Sequence, residues 1–167
     1  MPHTIDIQVA SDGSPLPDLA KMETWVAAAL VNQREDAELS IRIVDSGESR
    51  ELNNRYRGKD KPTNVLSFPS DLPSELELPL LGDLLVCAPV VASEANEQNK
   101  SLESHWAHMI IHGTLHLLGY DHIEDEDATK MEALETHIML GLKFPAPYET
   151  SEPPNPHAMT TRSFSSP

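Results

Sequence analysis

The chain is 167 residues long and carries a formal charge of −15, from 27 acidic and 12 basic side chains. That length allows one domain with a sizeable core. A single cysteine excludes an intrachain disulfide and a Cys-rich zinc motif. No apolar run approaches membrane-spanning length and no basic-plus-apolar leader opens the chain, so a cytoplasmic protein is expected.

Thr4 to Val9 alternates apolar and polar, the period of a half-buried strand. Pro15 and Pro17 with Asp18 signal a helix start. Leu19, Met22, Trp25, Val26, Ala29 and Leu30 then recur at helical spacing, predicting an amphipathic helix to about Asn32. Glu38 to Val44 reads as a strand with Leu39, Ile41 and Ile43 on one face. Asp45 or Ser46 can cap a short helix through Leu52 to about Tyr56.

The segment that follows, with its glycine, proline and charges, is predicted as loop, and Asn64 to Phe68 as a short strand. Asp71 to Pro79 is acidic and without period, a surface loop. Gly82 to Cys87 is an apolar strand for the middle of a sheet, with Cys87 in the core. Pro89 opens a helix through Gln98. A further helix runs from about Leu102 to Leu118. The last helix begins in Glu124 to Asp127, with acids at the positive end of its dipole. Met131, Leu134, Ile138 and Leu142 form its apolar stripe. The domain therefore spans 1–150, and the Pro/Ser/Thr-rich stretch 151–167 reads as a disordered tail. The predicted order, β-α-β-α-β-β-α-α-α, gives an α+β fold. About five helices pack on a small mixed sheet of about four strands.

Chemistry concentrates in His112-Gly-Thr-Leu-His116-Leu-Leu-Gly119-Tyr-Asp-His122, three imidazoles in eleven residues. His112 and His116 lie one helical turn apart on one face and can share a metal ion through bonds of about 2.0–2.1 Å. Gly119 falls where the helix must stop, and the chain can then double back to bring in His122. Three imidazoles leave a fourth position open, which marks a catalytic rather than a structural site. His108 lies on the same helical face and competes with His122 as third ligand. A trio confined to one helix is nearly collinear, so His122 is preferred, with His105 and His108 as supporting or packed residues. The spacing also matches the metzincin peptidase pattern, except that Gly113 replaces the glutamate that serves there as general base.

The net charge argues against a nucleic-acid partner unless the basic residues are gathered. They are: five of the twelve, Arg50, Arg55, Arg57, Lys59 and Lys61, fall between positions 50 and 61. Such a stretch can hold a phosphate chain locally.

Two stretches together, Arg55-Tyr-Arg-Gly-Lys-Asp-Lys-Pro-Thr-Asn-Val-Leu-Ser-Phe68 and His112 to His122, make the chain similar to a known family. It resembles the YbeY family of metal-dependent single-strand endoribonucleases, the bacterial rRNA maturation factors. The resemblance spans roughly Ile5 to Tyr148, and Gly82-Asp83 agrees with it. It implies one metal ion per chain, usually taken as zinc, on His112, His116 and His122. Three imidazoles also suit nickel or another divalent metal. The resemblance further implies that Arg57 is a functional residue, and that the catalytic set is Arg57, His112, His116 and His122. Implied partners are single-stranded RNA, chiefly ribosomal RNA, a small-subunit ribosomal protein and a ribosome-assembly GTPase. The implied roles are small-subunit rRNA maturation and ribosome quality control.

Phosphodiester hydrolysis needs a nucleophile, charge stabilisation and a proton for the leaving oxygen. A metal on three imidazoles brings the pKa of its water toward about 7 or polarises a phosphoryl oxygen. A guanidinium such as Arg57 pairs bidentately with phosphate. With Gly113 in place of a base, Asp121 and, more weakly, Asp83 are candidates for proton transfer or for orienting a ligand histidine. Attack by the RNA's own 2′-hydroxyl is the alternative. Tyr56 and Phe68 are the aromatics available for stacking on bases. Two other readings compete: a non-catalytic ribosome-assembly factor with a structural metal, and a metallopeptidase.

Overall fold

A computed structural model describes residues 3–11, 15–31, 33, 37–69, 80–120 and 125–147. Nine elements follow in the predicted order: β1 (His3–Ala10), α1 (Leu19–Leu30), β2 (Ala37–Val44), α2 (Ser46–Arg57), β3 (Val65–Pro69), β4 (Leu80–Cys87), α3 (Ala88–Glu97), α4 (Leu102–Leu117) and α5 (Asp125–Gly141). Among the described residues this is an α+β domain with five helices and one four-stranded mixed sheet. The predicted loop at Asp71 to Pro79 and the tail at 151–167 lie outside the described residues.

The sheet order is β1-β2-β4-β3; β1, β2 and β4 run parallel, and β3 is antiparallel to β4. Alternation along the strands gives the sheet two apolar faces. Leu39, Ile41, Ile43, Val65, Leu84 and Val86 belong to the larger core cluster, which also holds the buried residues of α1, α4 and α5. Val44, Leu66, Leu85 and Cys87 turn the other way and pack with Leu52 of α2 and Phe68. The lone cysteine is buried there, as its apolar setting predicts.

Helix α4 is the central element. Nearly every side chain from Ser104 to Leu115 is buried, because α1, α3, α5, β3 and β4 all pack on it. Ser101 caps its start, the hydroxyl oxygen accepting from the Ser104 amide at 3.0 Å. Its end is a Schellman turn: the Tyr120 amide donates to the Leu115 carbonyl and the Gly119 amide to the His116 carbonyl, both at 3.0 Å. That turn needs a left-handed residue, and Gly119 supplies it at φ 105°.

Position 113 has its own reason to be glycine. A Cβ built there would lie 2.8 Å from a Leu84 methyl and 3.2 Å from a Val65 methyl. Glycine lets α4 approach the sheet. A glutamate at 113 would therefore be driven into apolar packing between α4 and β3–β4.

Candidate metal centre and basic loop

Helical spacing places His105, His108, His112 and His116 along one face of α4, with successive ring centroids 6.4, 6.0 and 4.6 Å apart. The last pair converges most closely. The Nε2 atoms of His112 and His116 are 3.2 Å apart. Two nitrogens bound tetrahedrally at about 2.0–2.1 Å from one ion sit about 3.3 Å from each other, so the pair needs almost no movement to share a metal. The same separation lets a single proton bridge the two rings in the metal-free chain. His112 is 6% exposed and His116 only partly buried, so the pair sits where the buried row reaches the surface.

The other nitrogen of His112 is committed. Its Nδ1 is hydrogen-bonded to the Glu135 carboxylate from α5, which is fully buried. A donating Nδ1–H leaves the lone pair on Nε2, the atom that faces His116. This carboxylate–histidine arrangement is the one that fixes tautomer and ring plane in metal sites. Burial alone would push the Glu135 carboxyl up; the adjacent His108 imidazole and the hydrogen-bonded His112 together outweigh it and hold the group well below the usual carboxylate range. His108, 1% exposed, lies 3.6 Å from the other Glu135 oxygen. Burial pushes its imidazole down more than Glu135 raises it, so His108 is neutral at pH 7.

His108, His112 and Glu135 form a second possible metal group, with ligand atoms within 4.8 Å of one another. It is wholly buried, and the direct hydrogen bond from His112 to Glu135 already fills the space between those two ligands. The His112–His116 pair is the one that reaches the surface. His122 and Asp121 lie outside the described residues. Asp83 does not support this centre: its side chain is bonded to Ser40 of β2. Leu84 faces α4, so by strand alternation Asp83 points to the opposite side of the sheet. His105 is a packed residue, its Nε2 2.8 Å from Glu94, which also receives the Asn64 amide at 3.1 Å.

Glu135 belongs to no motif legible in the sequence, yet one signal was present. Met131, Glu135 and Ile138 fall at i, i+4 and i+7, so a carboxylate occupies a core position of the α5 stripe.

The basic segment is a pinned loop. Helix α2 ends at Gly58, and its inward polar residues lace the following turn to it. Asn53 Nδ2 donates to the Lys61 carbonyl at 2.8 Å, and the Ser49 hydroxyl pairs with both the amide and the carbonyl of Thr63 at 3.0 Å. Arg50 grips Asp60 through two bonds, 2.7 and 3.0 Å, and Arg55 lies 3.6 Å from Glu51. Two of the five basic residues thus have carboxylate partners within the segment. Arg57 is exposed at the last position of α2, and partial burial draws its guanidinium below the usual value without discharging it. Strand β3 ties this region to α4: the Ser67 hydroxyl donates to the Gly113 carbonyl at 3.2 Å, beside His112.

Comparison with known proteins identifies the family and a structural neighbour. The family described as endoribonuclease YbeY matches residues 10–143. Among solved structures, the chain is similar to TM1509 from Thermotoga maritima, known from a solution structure. The two are 28% identical with a TM-score of 0.55, over 89% of this chain and 99% of that one.

Proposed function

Because this chain belongs to the YbeY endoribonuclease family, we propose that it is a zinc-dependent endoribonuclease cutting single-stranded ribosomal RNA. Its cellular roles on this reading are small-subunit rRNA maturation and ribosome quality control, in the cytoplasm. The activity resides in one domain, 1–150, with 151–167 as a tail outside it. The observation that carries the reading is the 3.2 Å approach of the His112 and His116 Nε2 atoms, with Glu135 holding His112 from behind.

His112, His116 and His122 would hold the ion, and an ion there supplies Lewis acidity to phosphodiester hydrolysis. Glu135 keeps the Nδ1 proton on His112 and so presents Nε2 to the site. Arg57 pairs with a phosphate of the substrate and offsets charge that grows on the phosphoryl oxygens. The Asn53, Ser49 and Arg50 contacts fix the loop that follows Arg57, so that Lys59 and Lys61 add to the local positive field. The partners are ribosomal RNA, a small-subunit ribosomal protein and a ribosome-assembly GTPase. A peptidase is disfavoured, since position 113 faces Leu84 and Val65 and offers no place for a base. No helix among the described residues is long and apolar enough to cross a membrane.

Metal content measured on purified protein tests the ligand set directly. One zinc per chain is expected, lost in His112→Ala, His116→Ala and His122→Ala, with cleavage of single-stranded RNA abolished by a chelator and restored by metal. Full metal occupancy in His122→Ala would remove that residue from the set.

A further inference from the structure

Tyr56 is 60% exposed, whereas Trp25 and Trp106 are buried and Phe68, Tyr120 and Phe144 are half-buried. It stands between Arg55 and Arg57 near the end of α2, and Lys59 and Lys61 follow on the pinned loop. Its ring meets Phe68 of β3 edge to face, centroids 5.2 Å apart and planes at 69°. That contact fixes the plane of the tyrosine ring while leaving more than half of the side chain to solvent. An oriented aromatic among cations matches the chemistry of a single nucleic-acid strand: a π-face for a base beside charges for the phosphates that flank it.

We propose that Tyr56, braced by Phe68, is a stacking platform for one base of a single-stranded RNA. This rests on the endoribonuclease reading and deepens it. Along β3, Val65 and Ser67 face α4, whereas Leu66 and Phe68 belong to the other face. Tyr56 and the His112–His116 pair therefore lie on opposite sides of β3, the last strand in the sheet order. The RNA passes around that sheet edge, with Arg57 next to the platform at the end of α2. Every base offers a π-face, so the platform is tolerant of sequence. Only an unpaired base is free to leave its neighbours and occupy it, so the platform selects single strands over duplexes.

The test is equilibrium binding of a short fluorescent single-stranded RNA to the full chain, compared across Tyr56→Ala, Tyr56→Phe and Tyr56→Trp, with melting temperature recorded for each. Alanine should weaken binding about tenfold, the usual effect of removing one stacked base. Phenylalanine should retain affinity. Tryptophan should also retain it, with its exposed indole fluorescence quenched as RNA is added, a signal that a purely structural tyrosine would not produce. The slope of affinity against salt should be the same for all, since no phosphate contact is removed. Alanine binding as tightly as wild type, while wild type still cuts RNA, would overturn the platform and leave the enzyme reading intact. Loss of affinity in phenylalanine equal to that in alanine would assign the effect to the hydroxyl and likewise overturn it. Wild type that neither binds nor cuts RNA would remove both readings together.

Discussion

Glu135 shows how one side chain sets the state of another. Its carboxylate accepts the Nδ1 proton of His112 and so decides which nitrogen carries the lone pair. Glu135→Gln keeps the shape but removes the charge, and metal affinity should fall about 10–100-fold, read by competition with a chelating dye. Unchanged affinity would mean that the glutamate only packs. The neighbouring His108 gives the metal-free protein a pH dependence. Burial lowers its folded-state pKa below the ordinary 6.5, with Glu135 opposing. Between those two values the unfolded chain binds the extra proton, so stability rises with pH through that window and is lost as pH falls below 6.5. Glu135 works in the same direction lower down, being ionised in the fold and protonated in the unfolded chain below the usual 4.5. Urea midpoints of the metal-free protein should therefore drop on acidification from neutral pH. His108→Asn should flatten the upper part of that drop, and a midpoint indifferent to pH would contradict the neutral buried state.

The elements themselves were legible from period and punctuation. All nine occur in the predicted order, with ends moved by only a few residues. Proline and glycine signals did most of this, through Pro89 in the first turn of α3 and Gly119 after α4. What the sequence could not supply was the pairing of distant side chains. Glu135 is 23 residues from His112, and the Ser49–Thr63 and Asn53–Lys61 bonds depend on how α2 lies against its loop. Asp83 was misjudged because adjacency to a motif says nothing of sheet face; its side chain went with the odd positions of β4, away from α4. The same logic makes α2 and its loop a unit. Asn53→Ala strips the Lys61 carbonyl of its donor and should cost about 1–2 kcal/mol, with faster amide exchange through residues 59–63. A stability loss without faster exchange in the loop would place the role of Asn53 elsewhere.

At the scale of the molecule, an acidic chain of charge −15 gathers five of its twelve cations in one segment on one side of β3 and converges two histidines on the other. The fold brings the two together by seating β3 between them: Ser67 reaches α4 at Gly113 and Phe68 reaches α2 at Tyr56. One strand thus contacts both the basic segment and the histidine helix. The most direct test is cleavage of a labelled single-stranded RNA by metal-loaded protein, alongside His116→Ala and Arg57→Ala prepared identically and checked for folding. Cutting by the wild type alone is the predicted result, with both folded variants inactive. Equal cutting by all three would trace the activity to a contaminant and contradict the assignment of this site.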